Sequence, residues 1–265
     1  RYRMFRPRET TMKFRRSRLL AFAVAPAIAL TACSENPETG RNQLILISPD
    51  QAAEMGAQAY QDILSQTKSG TGAQQRRVER IGRNILQAAG LDDRNWQFSV
   101  IKDDTPNAFA LPGGKVGVNT GMLDAVDNDA QLAAVIGHEI AHVTGRHSAE
   151  RMSRQALTAA GVNVVGAAVD SQAGAQLLAQ AAQLGVILPF SRNQESEADV
   201  LGMEYMARAG YNPHGAVQVW QKFAADGTSR PPEFLSTHPD PGNRVQRLQA
   251  KLDEVMPIYR QNARN

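Results

Sequence analysis

The sequence predicts an α+β fold that is dominated by helices. Apolar residues recur at helical spacing through most of the chain after about residue 45. One short region, residues 96–118, instead alternates apolar and polar residues and is broken by Gly and Pro, which is typical of a small sheet. The chain has 265 residues, of which 42% are hydrophobic, and it shows no internal repeat, so one large domain is expected.

The first elements in this order are two helices and the strands of the sheet. Helices are predicted near residues 48–66 and 73–89. A strand is predicted where Trp96, Phe98 and Val100 alternate with their neighbours. A turn at residues 103–106 and a break at residues 112–114 then precede a second short strand, residues 115–118.

The next helix, predicted over residues 128–145, carries the most informative motif, His-Glu-Ile-Ala-His at residues 138–142. Histidines four residues apart lie one above the other on a helix, so His138 and His142 can bind one metal ion. Glu139 can reach a water on that metal and take its proton. This is the zincin arrangement for the hydrolysis of peptide bonds.

This motif lies in a stretch that is expected to be buried. Asp127 and Asp129 are candidate N-caps of the helix, and Gly145 is a plausible C-terminal stop. Two buried histidines and a glutamate would cost free energy without a partner, and a metal ion supplies one. The alternative is a chance match to a pattern that has two free positions. The expectation that the motif is buried comes from the apolar residues that flank it, which are Leu132, Val135, Ile136, Ile140 and Val143.

A second helical pattern, which opens at Ser191, offers the third protein ligand that a catalytic zinc site needs. Glu195 and Asp199 are four residues apart and share a face, whereas Glu197 points about 200° away from Glu195. We interpret Glu195 as a ligand and Asp199 as the carboxylate that orients a ligand histidine through its other ring nitrogen. The alternative is an acidic, solvated helix face.

Taken together, these motifs resemble the HtpX / CAAX prenyl protease / BepA family of zinc metallopeptidases. The resemblance runs from about residue 40 to residue 250 and also includes residues 107–115 and Thr237-His238-Pro239 followed by Arg244. It implies a zincin-like metalloprotease domain of the gluzincin type, with a small sheet and the active helix. It also implies one zinc ion per chain, bound by His138, His142 and Glu195, with Glu139 as general base.

The same resemblance suggests roles for two further residues. His238, which Pro239 and Pro241 follow on a predicted loop, is a candidate catalytic residue: a latency switch that occupies the position of the water, an oxyanion stabiliser, or both. The alternative is a loop histidine without a role. Arg244 is a candidate substrate contact, although it begins a helical run over residues 244–255 and could instead be solvated or paired.

The resemblance also implies that the strand at residues 115–118 lies at a substrate-binding edge of the sheet beside the zinc. An exposed strand edge can bind an extended peptide through main-chain hydrogen bonds. Gly114, Lys115 and Val116 are therefore candidate substrate-binding residues. The alternative is an ordinary hairpin.

Two other histidines are not needed as ligands. His147 lies about 140° off the face of His142 and is interpreted as a surface residue or as a support behind the ligands. His214 follows Asn-Pro and is expected near the start of a helix.

The N-terminus resembles a bacterial lipoprotein signal. A basic region precedes a short apolar run over residues 19–30, and Leu-Thr-Ala-Cys at residues 30–33 matches a lipobox. Residues 1–33 are therefore predicted to be a signal peptide, with residues 1–11 as an upstream extension, and the single cysteine, Cys33, is predicted to be lipid-linked. Ser34 after it favours the outer membrane, by resemblance to enterobacterial lipoproteins. The alternative is a plain secretory signal.

The predicted organisation after the signal is a tether at residues 34–45, the zinc metallopeptidase domain at residues 46–258 and a tail at residues 259–265. Residues 155–190 are rich in Ala, Gly and Gln and are interpreted as two helices that cover the cleft, with ordinary core packing as the alternative. Residues 1–33 hold eight basic residues and one acid, so the remainder of this +3 chain has a net charge of −4. The basic leader therefore gives no indication of nucleic-acid binding.

These observations predict a zinc-dependent endopeptidase of the bacterial cell envelope. Lipid anchoring, with the domain facing the periplasm from the outer membrane, follows from the resemblance, which is strongest to the single-domain LoiP branch. Unfolded or misassembled envelope proteins are then the expected substrates. The alternatives are a chaperone or assembly factor for outer-membrane proteins with latent protease activity, and a processing enzyme for one partner. The sequence does not indicate an oligomeric state.

Overall fold

The computed structural model describes residues 33–92, 95–160, 189–225, 233–239 and 243–263, and within these ranges helices dominate. The helices are α1 (Pro49–Gln66), α2 (Gly72–Ala89), α3 (Thr120–Ala125), α4 (Asp129–Thr144), α5 (His147–Ala160), α6 (Arg192–Arg208), α7 (His214–Ala225), α8 (Glu233–Thr237) and α9 (Arg244–Asn262). The strands are β1 (Cys33–Glu35), β2 (Asn42–Leu44), β3 (Gln97–Ile101), β4 (Ala108–Leu111) and β5 (Lys115–Asn119). The predicted helix-dominated α+β class is confirmed.

Two of the predictions concern residues that the structure does not describe. The signal peptide up to residue 32, and most of the two helices expected over residues 155–190, lie outside the described residues. Among the described helices, none combines the length and the apolar character that crossing a membrane requires.

The larger sheet has the strand order β3-β5-β4. Strand β5 runs parallel to β3 and antiparallel to β4, and the β4–β5 turn contains Gly113 and Gly114 at φ +78° and +79°. Glycine adopts this left-handed conformation without steric cost. The expectation that β5 is an open edge strand is wrong, because β5 lies between β3 and β4 and pairs with both of them. The edge strand beside the active helix is β4.

Helix α4 is buried from Gln131 to its end, as the apolar pattern predicted. Its N-cap is Asn128, whose side chain accepts a hydrogen bond of 3.0 Å from the backbone N–H of Gln131. The prediction that Asp127 or Asp129 is the N-cap is wrong, because both carboxylates form ion pairs with basic side chains instead. Gly145 caps the C-terminus as predicted.

Helices α4 and α6 cross at two glycines directly behind the motif. A Cβ on Gly137 would lie 2.8 Å from the carbonyl oxygen of Gly202, and a Cβ on Gly202 would lie 2.7 Å from the backbone nitrogen of His138. No larger side chain fits such an approach without moving the backbone. The close crossing brings the acidic side chains near the start of α6 next to the histidines of α4.

Residues 34–45, which were predicted to be a tether, are instead largely part of a packed β-hairpin. Strands β1 and β2 pair antiparallel, with Cys33 opposite Leu44. The side chain of Gln43 donates a hydrogen bond of 2.6 Å to the carbonyl oxygen of Gly145. We call residues 33–44 the N-terminal hairpin, and it rests on the junction between α4 and α5.

Candidate active site

Four buried side chains from α4, α6 and the residue after α8 converge at one point. They are His138, His142, Glu195 and His238, and one nitrogen or oxygen atom of each lies within 4.8 Å of the others. Nε2 of His138 is 3.0 Å from Nε2 of His142 and 3.3 Å from Nδ1 of His238. Oε1 of Glu195 is 3.0 Å from Nδ1 of His238 and 3.4 Å from Nε2 of His142.

These spacings fit a single zinc ion. Ligand atoms about 2.0–2.1 Å from a tetrahedral zinc are about 3.3 Å apart, and imidazole nitrogen and carboxylate oxygen are common zinc ligands. Five of the contacts between these side chains measure 3.0 to 3.5 Å, and all four donor atoms lie within 4.8 Å of one another. The predicted ligands His138, His142 and Glu195 are therefore brought together, and His238 supplies a fourth donor.

A carboxylate and a guanidinium lie behind the ligands. Oδ1 of Asp199 is 3.1 Å from Nδ1 of His138, where it was predicted to orient a ligand ring. Arg244 donates hydrogen bonds to Oδ2 of Asp199 (2.7 Å) and to Oε2 of Glu195 (2.5 Å), and its guanidinium lies 3.7 Å from the ring centre of Trp220. Arg244 is only 3% exposed, so the structure favours the paired alternative over a substrate contact.

The two histidines of α4 differ in their pKa values, and this difference indicates which of them carries a proton when no metal is bound. Burial opposes protonation of His138, but hydrogen bonds to Asp199 and Glu195 raise its pKa to about 9. Burial holds the pKa of His142 well below its ordinary value, which leaves this ring neutral. Histidine binds zinc in its neutral form, so a zinc ion at this site would take the place of the proton that Asp199 and Glu195 favour on His138.

Glu139 is a buried carboxylate that points to the same cluster. It is fully buried, and neither of its oxygens has a hydrogen-bond partner among the described residues. Its Oε1 lies 3.4 Å from Nε2 of His238. Burial raises the pKa of Glu139, because the charged form loses its hydration. A buried carboxylate in this state is suited to accept a proton from a water beside the metal.

His147 is not a surface residue. It is fully buried, and its Nδ1 lies 3.0 Å from Nδ1 of His142, so only the interpretation as a support behind the ligands is compatible with the structure. The chain turns at Arg146, a non-glycine residue at φ 55°, and His147 begins a new helix. Angles counted along one continuous helix therefore do not apply to it. The expectation for His214 is confirmed, since it begins α7.

Two cavities touch the cluster from different sides. A cleft of about 420 Å³ is lined by β4, Phe190, Arg151 and His238. A second cavity of about 390 Å³ is lined by Ile45, Pro112 and His142, and also by residues at the starts of α1 and α5. The edge strand β4 therefore borders a cleft that reaches His238 of the cluster.

The residues predicted to bind substrate on β5 do not occupy this position. Lys115 and Val116 are buried, because β5 is the central strand. The ammonium group of Lys115 donates a hydrogen bond of 2.9 Å to the carbonyl oxygen of Asn95, and the carbonyl oxygen of Val116 accepts one of 3.2 Å from Tyr60. Gly114 forms the turn and packs on Trp96. These contacts stabilise the sheet.

Comparison with known proteins gives the same site a family context. The profile of peptidase family M48 matches residues 72–252, which include all four ligand candidates. The mitochondrial metalloendopeptidase OMA1 of Schizosaccharomyces pombe is 38% identical over 180 residues, which cover 67% of this chain and 53% of that protein. OMA1 of Saccharomyces cerevisiae is 30% identical over 265 residues, covering 92% of this chain and 76% of that protein.

A bacterial protein is also similar to this chain. The beta-barrel assembly-enhancing protease of Escherichia coli (strain K12) is 31% identical over 197 residues, which cover 70% of this chain and 40% of that protein. The chain thus spans about half of the first OMA1 protein and less than half of the bacterial protease.

Proposed function

This chain belongs to peptidase family M48 and carries the zinc metallopeptidase domain of that family, and from this premise we propose that it is an endopeptidase. The observation that carries the proposal is the convergence of the four metal donors beside Glu139, whose buried carboxylate makes no hydrogen bond among the described residues and lies 3.4 Å from His238. A structural zinc site has no use for a buried general base. The relatives named above are described as metalloendopeptidases or as a protease.

The mechanism assigns a separate task to each residue around the cluster. His138, His142 and Glu195 would hold the zinc ion, which when bound would lower the pKa of a water molecule and polarise a substrate carbonyl. Glu139 accepts the proton of the attacking water and delivers it to the leaving amine. The backbone edge of β4 holds the substrate as an added strand, so that binding depends on main-chain hydrogen bonds more than on side chains.

This mode of binding favours chains that can become extended. We therefore propose unfolded or misassembled envelope proteins as substrates, with quality control of the cell envelope as the role. The Escherichia coli relative, whose name describes a protease that enhances β-barrel assembly, supports this proposal. The OMA1 relatives are mitochondrial, so the bacterial setting rests on the N-terminal sequence pattern. The second candidate function is an assembly chaperone with latent protease activity.

Digestion of casein by residues 34–265 tests the proposed function. We expect digestion with one equivalent of zinc, loss of digestion with a zinc chelator, and recovery when zinc is added back. Digestion that survives chelation would contradict the zinc mechanism. Tight zinc binding without digestion, by the wild type and by His238→Ala alike, would favour the chaperone. A few discrete cleavages in place of broad digestion would indicate a processing enzyme.

For the location we propose a lipid on Cys33 and the outer membrane, as in the LoiP branch. Because β1 begins at Cys33, such an anchor would join directly to the N-terminal hairpin. In a Gram-negative host we expect the full chain in the outer-membrane fraction and Cys33→Ser in the soluble periplasmic fraction. The matched variant Ser34→Asp should keep the lipid and move to the inner membrane. Membrane association of Cys33→Ser would contradict the anchor.

A further inference from the structure

We propose that His147 and Glu197 are positioning residues for the metal ligand His142, and that the N-terminal hairpin holds them in place through Arg41. The inference rests on the proposed zinc site, because positioning matters only if His142 binds metal. Neither side chain is a metal ligand, and the N-terminal hairpin is far from both of them in the sequence. The hydrogen bonds that join these groups carry the argument.

The protons along this chain of contacts can be assigned in only one way. His142 faces the cluster through Nε2, which must be free of a proton to bind metal, so its proton lies on Nδ1. That N–H lies 3.0 Å from Nδ1 of His147, which must therefore accept. His147 then carries its own proton on Nε2, which lies 3.0 Å from Oε2 of Glu197. The metal ligand is thus connected to a carboxylate through a second imidazole.

The N-terminal hairpin supplies the donors that hold Glu197. The guanidinium Nε of Arg41 donates to Oε1 of Glu197 at 2.7 Å, and the hydroxyl of Thr39 donates to the same oxygen at 3.0 Å. The amide of Asn36 donates to Oε2 at 3.3 Å. The side chain of Glu197 is only 14% exposed, whereas Thr39 lies at the surface and Arg41 is partly exposed.

Arg41 also connects the hairpin to α5. Its two Nη atoms bind the two oxygens of Glu150 at 3.0 and 2.7 Å, a paired geometry that fixes the guanidinium plane. Glu150 accepts a further hydrogen bond of 2.9 Å from Gln194 of α6. One arginine from the hairpin thus joins the helix that carries His147 to the helix that carries Glu197.

The arrangement has a counterpart on the other ligand of α4. Asp199 lies directly behind His138, whereas the carboxylate behind His142 acts through His147. Partners of this kind hold a ligand ring in one tautomer and one orientation. Removing them typically weakens metal binding by about 10–100-fold.

Two substitutions at His147 separate positioning from packing. His147→Leu keeps an apolar contact but removes the acceptor, and we expect it to weaken zinc binding about 10–100-fold. His147→Asn places an amide oxygen near the position of Nδ1 and should restore most of the affinity. Chelator competition measures the affinity, and the visible spectrum of the Co²⁺ form reports ligand geometry. His214→Leu, at an exposed histidine, is the matched control and should change neither.

Several outcomes would overturn this proposal. The first is wild-type zinc affinity and an unchanged Co²⁺ spectrum in His147→Leu, and the second is an equal loss in His147→Asn and His147→Leu. If His147→Leu does not fold, Glu197→Ala gives the same test from the accessible end, and wild-type affinity there would also exclude the proposal. Zinc affinity does not depend on proteolysis. Zinc binding without casein digestion, by the wild type and by His238→Ala alike, would therefore contradict only the proposed function.

Discussion

Glu139→Gln is expected to lower the rate of casein cleavage by about 10²–10⁴-fold, which is the usual contribution of a general base. The amide has nearly the same shape as the carboxylate but cannot accept the proton of the attacking water. Glu139 is not among the four grouped metal donors, so the variant should still bind one zinc ion per chain. Loss of activity with retained metal would identify Glu139 as the base.

The comparison needs a control of the same chemistry. Glu54→Gln removes one carboxylate from the exposed face of α1 and should leave cleavage and metal content unchanged. Initial rates are measured at saturating zinc, with bound metal quantified in each protein. Cleavage by Glu139→Gln at the wild-type rate would contradict the mechanism. Loss of zinc from this variant would instead assign Glu139 a role in binding the metal.

The part of this site that could be predicted from the sequence is the part that lies within single helices. Helical spacing determines which side chains share a face, and it correctly put His138 above His142 and Glu195 together with Asp199. The same geometry correctly excluded Glu197 as a ligand. It could not reveal that Glu197 instead binds His147, because that contact depends on how α5 and α6 pack.

The features that were missed depend on long-range pairing. Residues 115–118 have the same local pattern whether their strand is central or at an edge. The strand is central because it pairs with both β3 and β4, and this pairing cannot be read from the local pattern. The N-terminal hairpin is held by contacts that Arg41 makes more than a hundred residues away, with Glu150 and Glu197. Nothing in the composition of residues 34–45 indicates those partners.

We propose that His238 controls the access of water to the metal position. Its Nδ1 is 3.3 Å from Nε2 of His138 and 3.0 Å from Oε1 of Glu195, so it stands where a fourth zinc ligand would be. A catalytic zinc needs that position open. The ring stacks on Phe234 at 4.4 Å, and its backbone N–H donates to the carbonyl oxygen of the same residue at 2.8 Å, which stabilises the closed position. This geometry favours the latency switch among the roles considered for His238.

His238→Ala is therefore expected to loosen zinc binding and yet raise proteolysis at saturating zinc. If the closed arrangement is about ten times more populated than the open one, its removal should raise activity about tenfold. Casein cleavage and zinc affinity are measured together, with His214→Ala as the control. A fall in activity of about 10²–10³-fold would instead indicate an oxyanion stabiliser. Unchanged activity would exclude both roles. Only opposite changes in metal affinity and activity would identify one residue that competes with water for the metal.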